Sequence, residues 1–209
     1  MAGNQTFSDD DFTPDSSSLY WDIDSYNGNV RWIANNSEWK RIKDQFADGH
    51  SLFGSGGITP TDVIQGDLGN CWFLSAIGSL AEWPGKIEQL FLNTEDDLNS
   101  QGIYAVNLYT LGVPHTIVVD DWLPLFQGWD GGYTTMFTEI SKDSSLWAPI
   151  IEKAFSKYHG NYQHIEAGWP EVAATTLTGG PGNTWWHSQI SMEDLWAKML
   201  EHENSNDVI

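Results

Sequence analysis

Hydrophobic residues recur at helical spacing in three segments of this chain. Between residues 71 and 81 they fall on one face of a helix, which Pro84 and Gly85 then end. Residues 146–159 show the same pattern, with a proline in the first turn, where a helix tolerates it. A weaker pattern over residues 192–199 predicts a third helix.

Two short segments have the character of strands. Residues 103–108 and 116–119 are apolar or alternate with polar residues, and Gly112 and Pro114 predict a turn between them. Residues 120–124 are predicted to close this hairpin. Because helical segments outnumber strands, the pattern predicts an α+β domain that is mainly helical and carries a small β-hairpin.

Polar and glycine-rich segments separate these elements. Residues 1–18 are rich in Ser, Asp and Asn and predict a flexible polar N-terminal extension. A short helix is predicted over residues 38–46. Glycine and proline make residues 53–62 a loop, and a second glycine-rich stretch covers residues 168–182.

The composition is that of a folded protein with a strong negative charge. Aromatic residues make up 13% of the chain, and the 12 tryptophans supply apolar area for a core. The 29 acidic and nine basic residues give a formal charge of −20, so nucleic acid and anionic membranes are poor partners. The excess of acidic residues can serve to keep the protein soluble or to bind divalent cations, and the sequence leaves both interpretations open.

The chain has one cysteine, Cys71, so an intramolecular disulfide and a metal site built from cysteines are both excluded. The lack of a disulfide framework predicts a reducing, cytoplasmic location. No signal peptide is predicted, because residues 1–5 are polar and no apolar segment follows them. No membrane span is expected either, since no run of about 18 apolar residues occurs. No organic cofactor is predicted.

The surroundings of Cys71 favour a reactive thiol. A lone cysteine is most often a small buried hydrophobic residue. Cys71, however, opens the first predicted helix, with Asn70 as its N-cap, and the positive end of the helix dipole favours a thiolate there. Gln65 lies upstream on a glycine-bearing loop, which can fold its amide beside the backbone N–H of Cys71. Two such donors would flank the oxyanion of a tetrahedral intermediate. Both interpretations of the cysteine, nucleophile and buried hydrophobe, remain open from these features.

Four segments form an ordered set of motifs. They read QGDLGNCWFL at 65–74, VVDDWLP at 118–124, LWAPIIEKAF at 146–155 and TGG at 178–180. In sequence and in order they resemble the active-site segment and the flanking segments of the calpains, the cytosolic papain-like cysteine proteases. The resemblance implies that the predicted α+β domain is the mainly helical N-terminal lobe of a papain-like protease.

The resemblance also implies a division of the chain. The extension over residues 1–18 precedes the first protease lobe, which covers residues 19–180. Residues 181–209 are the start of a second lobe that is truncated here. The implied partners are protein or peptide substrates and the missing second lobe.

Individual residues acquire roles through the same resemblance. Cys71 is the nucleophile, and Gln65 donates to the oxyanion. Gly69 shapes the loop before the cysteine, and Gly168 pairs with the substrate backbone. Ala167 stands where the family has a second glycine.

Asn70 is a further departure, because calpains usually have Asp directly before the cysteine. Both side chains can cap a helix, so we expect little loss from the exchange.

A thiolate protease also needs an imidazole, which forms the ion pair and protonates the leaving amine. The calpain His and Asn lie in Gly-His-Ala and Asn-Pro-Trp settings, and neither setting occurs here. The histidines that do occur are expected to be surface residues or to be satisfied by other contacts: His50, His115, His159, His164, His187 and His202. The chain is therefore predicted to be part of a cysteine-type endopeptidase that is inactive alone. The alternative is a catalytically inactive calpain-like binding module or a truncated fragment.

Calcium is half supported by the resemblance. Calpains hold an ion in this lobe, and Ser55, Gly57 and Asp62 fall on the loop positions that bind it. Ser145 stands in place of a glutamate ligand, although Asp143 is near enough in sequence to substitute. Ca²⁺ takes six to eight oxygen ligands, so the loss of a carboxylate weakens the case. A stand-alone acidic calcium-binding protein is disfavoured, since no EF-hand loop is present.

Overall fold

A computed structural model describes residues 6–21, 28–46, 48–93 and 95–205, the side chains of residues 28–31 excluded. The described helices are α1 (Ser16–Leu19), α2 (Gly28–Asn36), α3 (Ile42–Gln45), α4 (Cys71–Ala81), α5 (Trp147–His159), α6 (Pro170–Thr178) and α7 (Met192–Asn204). The described strands are β1 (Ser37–Arg41), β2 (Ile103–Thr110), β3 (Val113–Asp120), β4 (Trp122–Gln127) and β5 (Tyr133–Thr135). Helices and strands both contribute, which confirms the α+β class.

The core is centred on the two long helices α4 and α5. The rings of Phe73 and Phe155 stack with their centroids 4.3 Å apart, and the edge of Trp72 packs on Phe155 at 5.6 Å. Both helices were predicted from their apolar periodicity, and both predictions are confirmed. The start of α4 at Cys71 matters most for function, because it fixes the place of the thiol.

Strands β2 and β3 form the predicted antiparallel hairpin. Side chains of β2 alternate between buried and half-buried positions, as expected for a sheet with one face on the core. The turn consists of Leu111 and Gly112, both with positive φ. Pro114 was predicted to lie in the turn but lies within β3, opposite Tyr109. A two-stranded sheet has only edge strands, and these tolerate proline.

A second sheet, with strand order β1-β4-β5, was not predicted. Trp39 of β1 lies opposite Pro124 of β4, so the prediction of a helix over residues 38–46 is wrong for its first half. Residues 120–124 do not close the hairpin, because they lead directly into β4. Pairing between segments so distant in sequence leaves no local signal.

The N-terminal segment packs against the domain where the structure describes it. Phe12 is buried, and Asp9 is buried beside Lys157, whose Nζ donates to both Asp9 carboxylate oxygens at 2.7 Å. The backbone N–H of Asp9 donates to Oδ2 of Asp120 at 2.8 Å. The prediction of a flexible extension over residues 1–18 is therefore wrong for the described part, since Phe12 is buried and Asp9 pairs with Lys157.

The glycine-rich stretch over residues 168–182 contains a helix that the sequence analysis did not include. Pro170 opens α6, where its fixed φ suits the first turn. Gly179 ends the helix in the left-handed conformation, with φ of 70°. α6 packs against α4 and β2, so it brings the glycine stretch to the end of the nucleophile helix.

Residues 181–205 contribute no buried residue. The predicted third helix is confirmed as α7 and runs five residues beyond Met199, to Asn204. The division of the chain at residue 180 stays a prediction. No described helix is both long and apolar enough to cross a membrane.

Candidate active site

Cys71 is the first residue of α4, and its side chain is exposed. The exposure excludes the interpretation of this cysteine as a buried hydrophobic residue. The first amides of a helix lack acceptors within it. Phe73 N–H donates to the carbonyl of Asn70 at 2.9 Å, which leaves the amides of Cys71 and Trp72 at the helix end. A negative charge that develops beside the thiol would meet these N–H groups and the positive end of the helix dipole.

Asn70 occupies the N-cap position, but its side chain does not cap the helix. The residue is buried, and Nδ2 donates to Oε1 of Glu152 on α5 at 2.6 Å. Its Oδ1 is buried and has no hydrogen-bond partner among the described residues. The prediction that Asn70 caps through its side chain is wrong, because its bond to the Glu152 carboxylate holds the side chain in the core, where Oδ1 does not accept from the helix amides.

Glu152 lies next to the candidate site, although the sequence did not single it out. Its carboxylate accepts from Asn70, from Thr138 Oγ1 at 2.6 Å and from Thr138 N–H at 3.0 Å. Burial raises the pKa of Glu152 to about 7, against the lowering effect of these three hydrogen bonds. Sequence periodicity offered no signal for this role, because Glu152 falls opposite the apolar face predicted for the helix over residues 146–159.

Gln65 lies on the loop that leads into α4. Its Nε2 donates to the carbonyl of Leu68 at 2.8 Å, a bond within the loop. An amide nitrogen carries two hydrogens, so this bond holds the side chain and leaves one N–H to donate. The side chain itself is exposed.

The Gln65 loop is anchored to the segment that follows β5. Glu139 N–H donates to the carbonyl of Ile64 at 2.8 Å, and Asp67 N–H donates to the carbonyl of Met136 at 3.0 Å. Between these bonds lies Gly66, where a Cβ would overlap the carbonyl oxygen of Phe137. Only glycine allows this approach, so Gly66 fixes the loop against its support.

Gly69 and Ala167 connect the loop to the glycine stretch. Ala167 N–H donates to the carbonyl of Gly69 at 2.9 Å. Ala167 has a φ of 54°, in the left-handed region that favours glycine. Gly69 has no positive φ, and a Cβ there would meet no other atom. Its contribution in this structure is the carbonyl that holds residue 167.

Gly168 is exposed and lies on the indole ring of Trp72, where a Cβ would collide with the ring. Trp72 Nε1 donates to the carbonyl of Ile165 at 2.9 Å and so fixes the same segment. Gly168 and Cys71 are thereby joined through the residue that follows the cysteine. The structure brings Cys71, Gly69 and Gly168 to one end of α4.

No described histidine hydrogen-bonds to Cys71. His115 and His187 are exposed, and Nδ1 of His164 bonds with the carbonyl of His159 at 2.9 Å. His159 departs from the expectation of satisfied histidines. Its Nε2 is buried without a hydrogen-bond partner among the described residues. Burial lowers the pKa of His159, and the nearby His164 acts in the same direction.

The loop positions suggested for calcium are differently engaged. Ser55 and Gly57 are exposed, and Gly57 has a φ of 74°. Asp62 is buried, and its carboxylate accepts from Thr59 N–H at 2.7 Å and Thr59 Oγ1 at 3.1 Å. It also accepts from Trp147 Nε1 at 3.4 Å. Asp62 therefore serves as a cap for the turn that it ends.

Asp143 lies against the same loop. Its carboxylate accepts from Gly56 N–H at 3.2 Å and from the hydroxyl of Ser141. Ser145 is buried, with its hydroxyl 2.7 Å from that of Ser141. Among the residues that the structure describes, no three His, Cys, Asp or Glu side chains form a group that could hold a metal ion. Hydrogen bonds within the loop engage the carboxylates of Asp62 and Asp143, and the calcium site suggested by the sequence stays a prediction.

Two of the other three motifs, at 118–124 and 146–155, meet in a buried ion pair. Lys153 Nζ donates to Oδ1 of Asp120 at 2.5 Å and to the carbonyl of Trp122 at 2.6 Å. Burial lowers the pKa of Lys153, and the charge of Asp120 opposes that effect. Asp121 pairs with Arg41 of β1. These residues tie the hairpin and the three-stranded sheet to α5, so their role is structural.

Comparison with known proteins extends these observations. Residues 7–209 match the family described as calpain family cysteine protease. The chain is 34% identical to the calpain-type cysteine protease DEK1 of Arabidopsis thaliana over 208 residues, 95% of this chain and 9% of that protein. It is 36% identical to human calpain-12 over 65% of the chain and 18% of that protein. The human calpain-2 catalytic subunit is 32% identical over 83% of the chain and 24% of its own length.

An exposed thiol at a helix N-terminus, beside an amide-bearing loop in an α+β domain, is the arrangement of a cysteine protease. With the match over residues 7–209, the chain belongs to the calpain family of cysteine proteases. It spans less than a quarter of the length of the relatives named above.

Proposed function

We propose that this chain is the nucleophile-bearing lobe of a papain-like cysteine endopeptidase that acts on proteins or peptides. The supporting observation is the exposed Cys71 thiol at the first residue of α4, with the Gln65 amide held on the loop that leads into the helix. Family membership supplies the reaction class, which is hydrolysis.

In this mechanism the Cys71 sulfur adds to the carbonyl carbon of the scissile peptide bond. The π electrons of the carbonyl move to its oxygen, which becomes an oxyanion. Cys71 N–H and the remaining N–H of Gln65 Nε2 donate to that oxygen. Collapse of the intermediate breaks the C–N bond and leaves an acyl-enzyme, which water then hydrolyses. Gly168 presents exposed backbone to the substrate beside the thiol.

The imidazole that protonates the leaving amine comes, in this proposal, from a second lobe that residues 181–209 begin. The absence of a described hydrogen bond between Cys71 and any histidine supports this division of labour. The chain alone is therefore inactive, and the assembled protease needs the His and Asn of the other lobe.

Cleavage of a fluorogenic peptide tests the proposal, with the chain alone and with a calpain second lobe added in trans. We expect turnover only in the assembly, and its loss in Cys71→Ala. Gln65→Ala should lower kcat about 10²–10³-fold, because it removes one oxyanion donor. Gln101→Ala is the matched control, since that amide is also exposed but lies elsewhere. Turnover that survives Cys71→Ala would contradict the assignment of the nucleophile.

A catalytically inactive binding module is the second candidate, favoured by the lack of a described histidine partner for the thiol. In that case the assembly would bind the peptide without cleaving it.

A further inference from the structure

We infer that Glu152 is a positioning residue of the oxyanion hole. Its carboxylate holds in place, relative to each other, the two backbone segments that carry the hydrogen-bond donors of the hole. The inference rests on the proposed function, since it assumes that Cys71 N–H and the Gln65 amide meet the oxyanion. Glu152 touches neither the thiol nor the substrate site, and acts through Asn70 and Thr138.

The first contact fixes the amide of Cys71. Glu152 Oε1 accepts from Nδ2 of Asn70, the residue directly before the cysteine. The peptide group between residues 70 and 71 carries the Cys71 N–H, so holding the buried Asn70 orients that donor.

The same contact keeps the helix end open. An asparagine at an N-cap normally accepts from the amides of the first turn with its side-chain oxygen. Here Glu152 draws the side chain of Asn70 into the core, and no cap hydrogen bond forms. The N–H groups beside the thiol therefore stay available for an anionic oxygen.

The second contact fixes the loop of Gln65. Both oxygens of Glu152 accept from Thr138, one from its hydroxyl and one from its N–H. The neighbouring Phe137 carbonyl lies against Gly66, and the flanking bonds of residues 136 and 139 hold the loop. Displacement of Thr138 would therefore move Gln65 relative to α4.

Among the residues that the structure describes, no cation forms an ion pair with Glu152. The adjacent Lys153 donates to Asp120 and not to Glu152. Tyr162, on another segment, interacts electrostatically with Glu152. Burial is the main cause that raises the pKa of Tyr162, and the charges of Glu152 and Asp120 add to it. All three hydrogen bonds of Glu152 go to the two segments of the oxyanion hole.

The binding of a peptidyl aldehyde to the full chain tests the inference. The Cys71 thiol adds to the aldehyde carbon, the C=O π bond breaks, and the thiol proton ends on the hemithioacetal oxygen. That oxygen occupies the oxyanion hole, whereas displacement of iodide from iodoacetamide by the thiolate needs no hole. The ratio of the two reactions therefore reports the hole and not the thiol.

Glu152→Ala should weaken aldehyde binding about tenfold or more, because small misplacements of reacting groups are costly. Its iodoacetamide rate should stay within about twofold of the wild type, since the thiol and the helix end remain. Glu152→Gln should bind the aldehyde within about threefold of the wild type, because its oxygen can still accept from Thr138 N–H. Its NH₂ group can then donate to Thr138 Oγ1 and, once the Asn70 amide turns over, to Asn70 Oδ1. Ile151→Ala removes a buried side chain from the same helix and should lower the Tm without affecting aldehyde binding.

The following outcomes would overturn the inference. If Glu152→Ala binds the aldehyde as tightly as the wild type, or if Ile151→Ala weakens binding equally, the Glu152 carboxylate has only a structural role. The proposed function is not affected by either result. If Gln65→Ala leaves aldehyde affinity unchanged, or the wild-type chain does not bind the aldehyde, the oxyanion hole itself is wrong. If Glu152→Ala does not fold, Asn70→Ala breaks the first contact alone and should weaken binding at least threefold, and unchanged affinity would again overturn the inference.

Discussion

At the scale of single residues, the site depends on backbone positions that tolerate few side chains. Gly66 allows the loop to touch the Phe137 carbonyl, and Gly168 lies on the indole of Trp72. Ala167 is the exception, because it holds a left-handed conformation with a Cβ. The strain is local and is offset by its hydrogen bond to Gly69.

Ala167→Gly should therefore stabilise the chain by roughly 0.5–1 kcal/mol. The left-handed conformation costs an L-residue about 1–2 kcal/mol, and the extra chain entropy of glycine offsets part of the gain. Urea unfolding followed by fluorescence measures the change. The matched control is Ala174→Gly within α6, which should destabilise by about 1 kcal/mol. A destabilised Ala167→Gly would show that residue 167 is not strained.

The raised pKa of this single residue, Glu152, predicts that the stability of the chain depends on pH. The pKa of Glu152 is raised from 4.5 in the unfolded chain to about 7 in the folded one, so between these values the folded state binds more protons. The corresponding stability is fully present below about pH 4.5 and is lost as pH rises through 7. The difference amounts to about 3 kcal/mol at 1.36 kcal/mol per pKa unit.

We therefore expect the free energy of unfolding of the wild type to fall between pH 5 and pH 8 by more than that of Glu152→Gln. Chemical denaturation at a series of pH values gives both curves. Parallel curves would mean that Glu152 keeps its ordinary pKa in the fold.

At the scale of elements, α5 organises the domain through two neighbouring residues that bind on different sides. Glu152 binds the segments of the active site, whereas Lys153 binds the end of the hairpin and the start of β4. The first turn of α4 and the hairpin are thus fixed to one rigid helix.

Lys153→Met should destabilise the chain by about 3–5 kcal/mol, because Asp120 would be left as a buried charge without its cation. The double variant Lys153→Met with Asp120→Asn should recover part of the loss. Lys142→Met is the control, since Lys142 is exposed and should change stability by less than about 0.5 kcal/mol. Thermal unfolding of the wild type, the two single variants and the double variant measures these effects. A Lys153→Met protein as stable as the wild type would show that the ion pair does not connect the elements.

At the scale of the whole molecule, the charge of −20 attracts cations, although no three His, Cys, Asp or Glu side chains within residues 6–21, 28–46, 48–93 and 95–205 form a group that could hold one. Asp62 and Asp143 are occupied by hydrogen bonds from their own loops. The structure therefore supports only a weak, non-specific effect of salt on stability, in which ions screen the repulsion between surface carboxylates.

We expect Ca²⁺ to raise the Tm of the chain no more than Mg²⁺ does at the same ionic strength. A ligand at 100 times its Kd would add about 2.7 kcal/mol, which a thermal scan detects easily. A rise specific to Ca²⁺, and its loss in Asp62→Asn, would contradict the geometry described here and restore the calcium prediction made from the sequence.

The sequence by itself determined the elements and the residues that local rules encode. Apolar periodicity identified α4 and α5, and alternation identified the hairpin. These predictions succeeded because each signal lies within a few turns of chain. The roles of Cys71 as nucleophile and Gln65 as oxyanion donor came from a short segment as well, and they stay predictions. The family resemblance depended on such short motifs as well, and the match over residues 7–209 confirms it.

Only the tertiary structure decided which side chains act together across distant segments. Nothing near Asn70 in sequence indicates that Glu152 removes it from the helix cap, and nothing near β1 indicates that β4 pairs with it. Likewise, nothing near Asp9 in sequence indicates that Lys157, far along the chain, binds its carboxylate. Hydrogen bonds and ion pairs between distant segments depend on how the elements pack, and local periodicity carries no information about that packing.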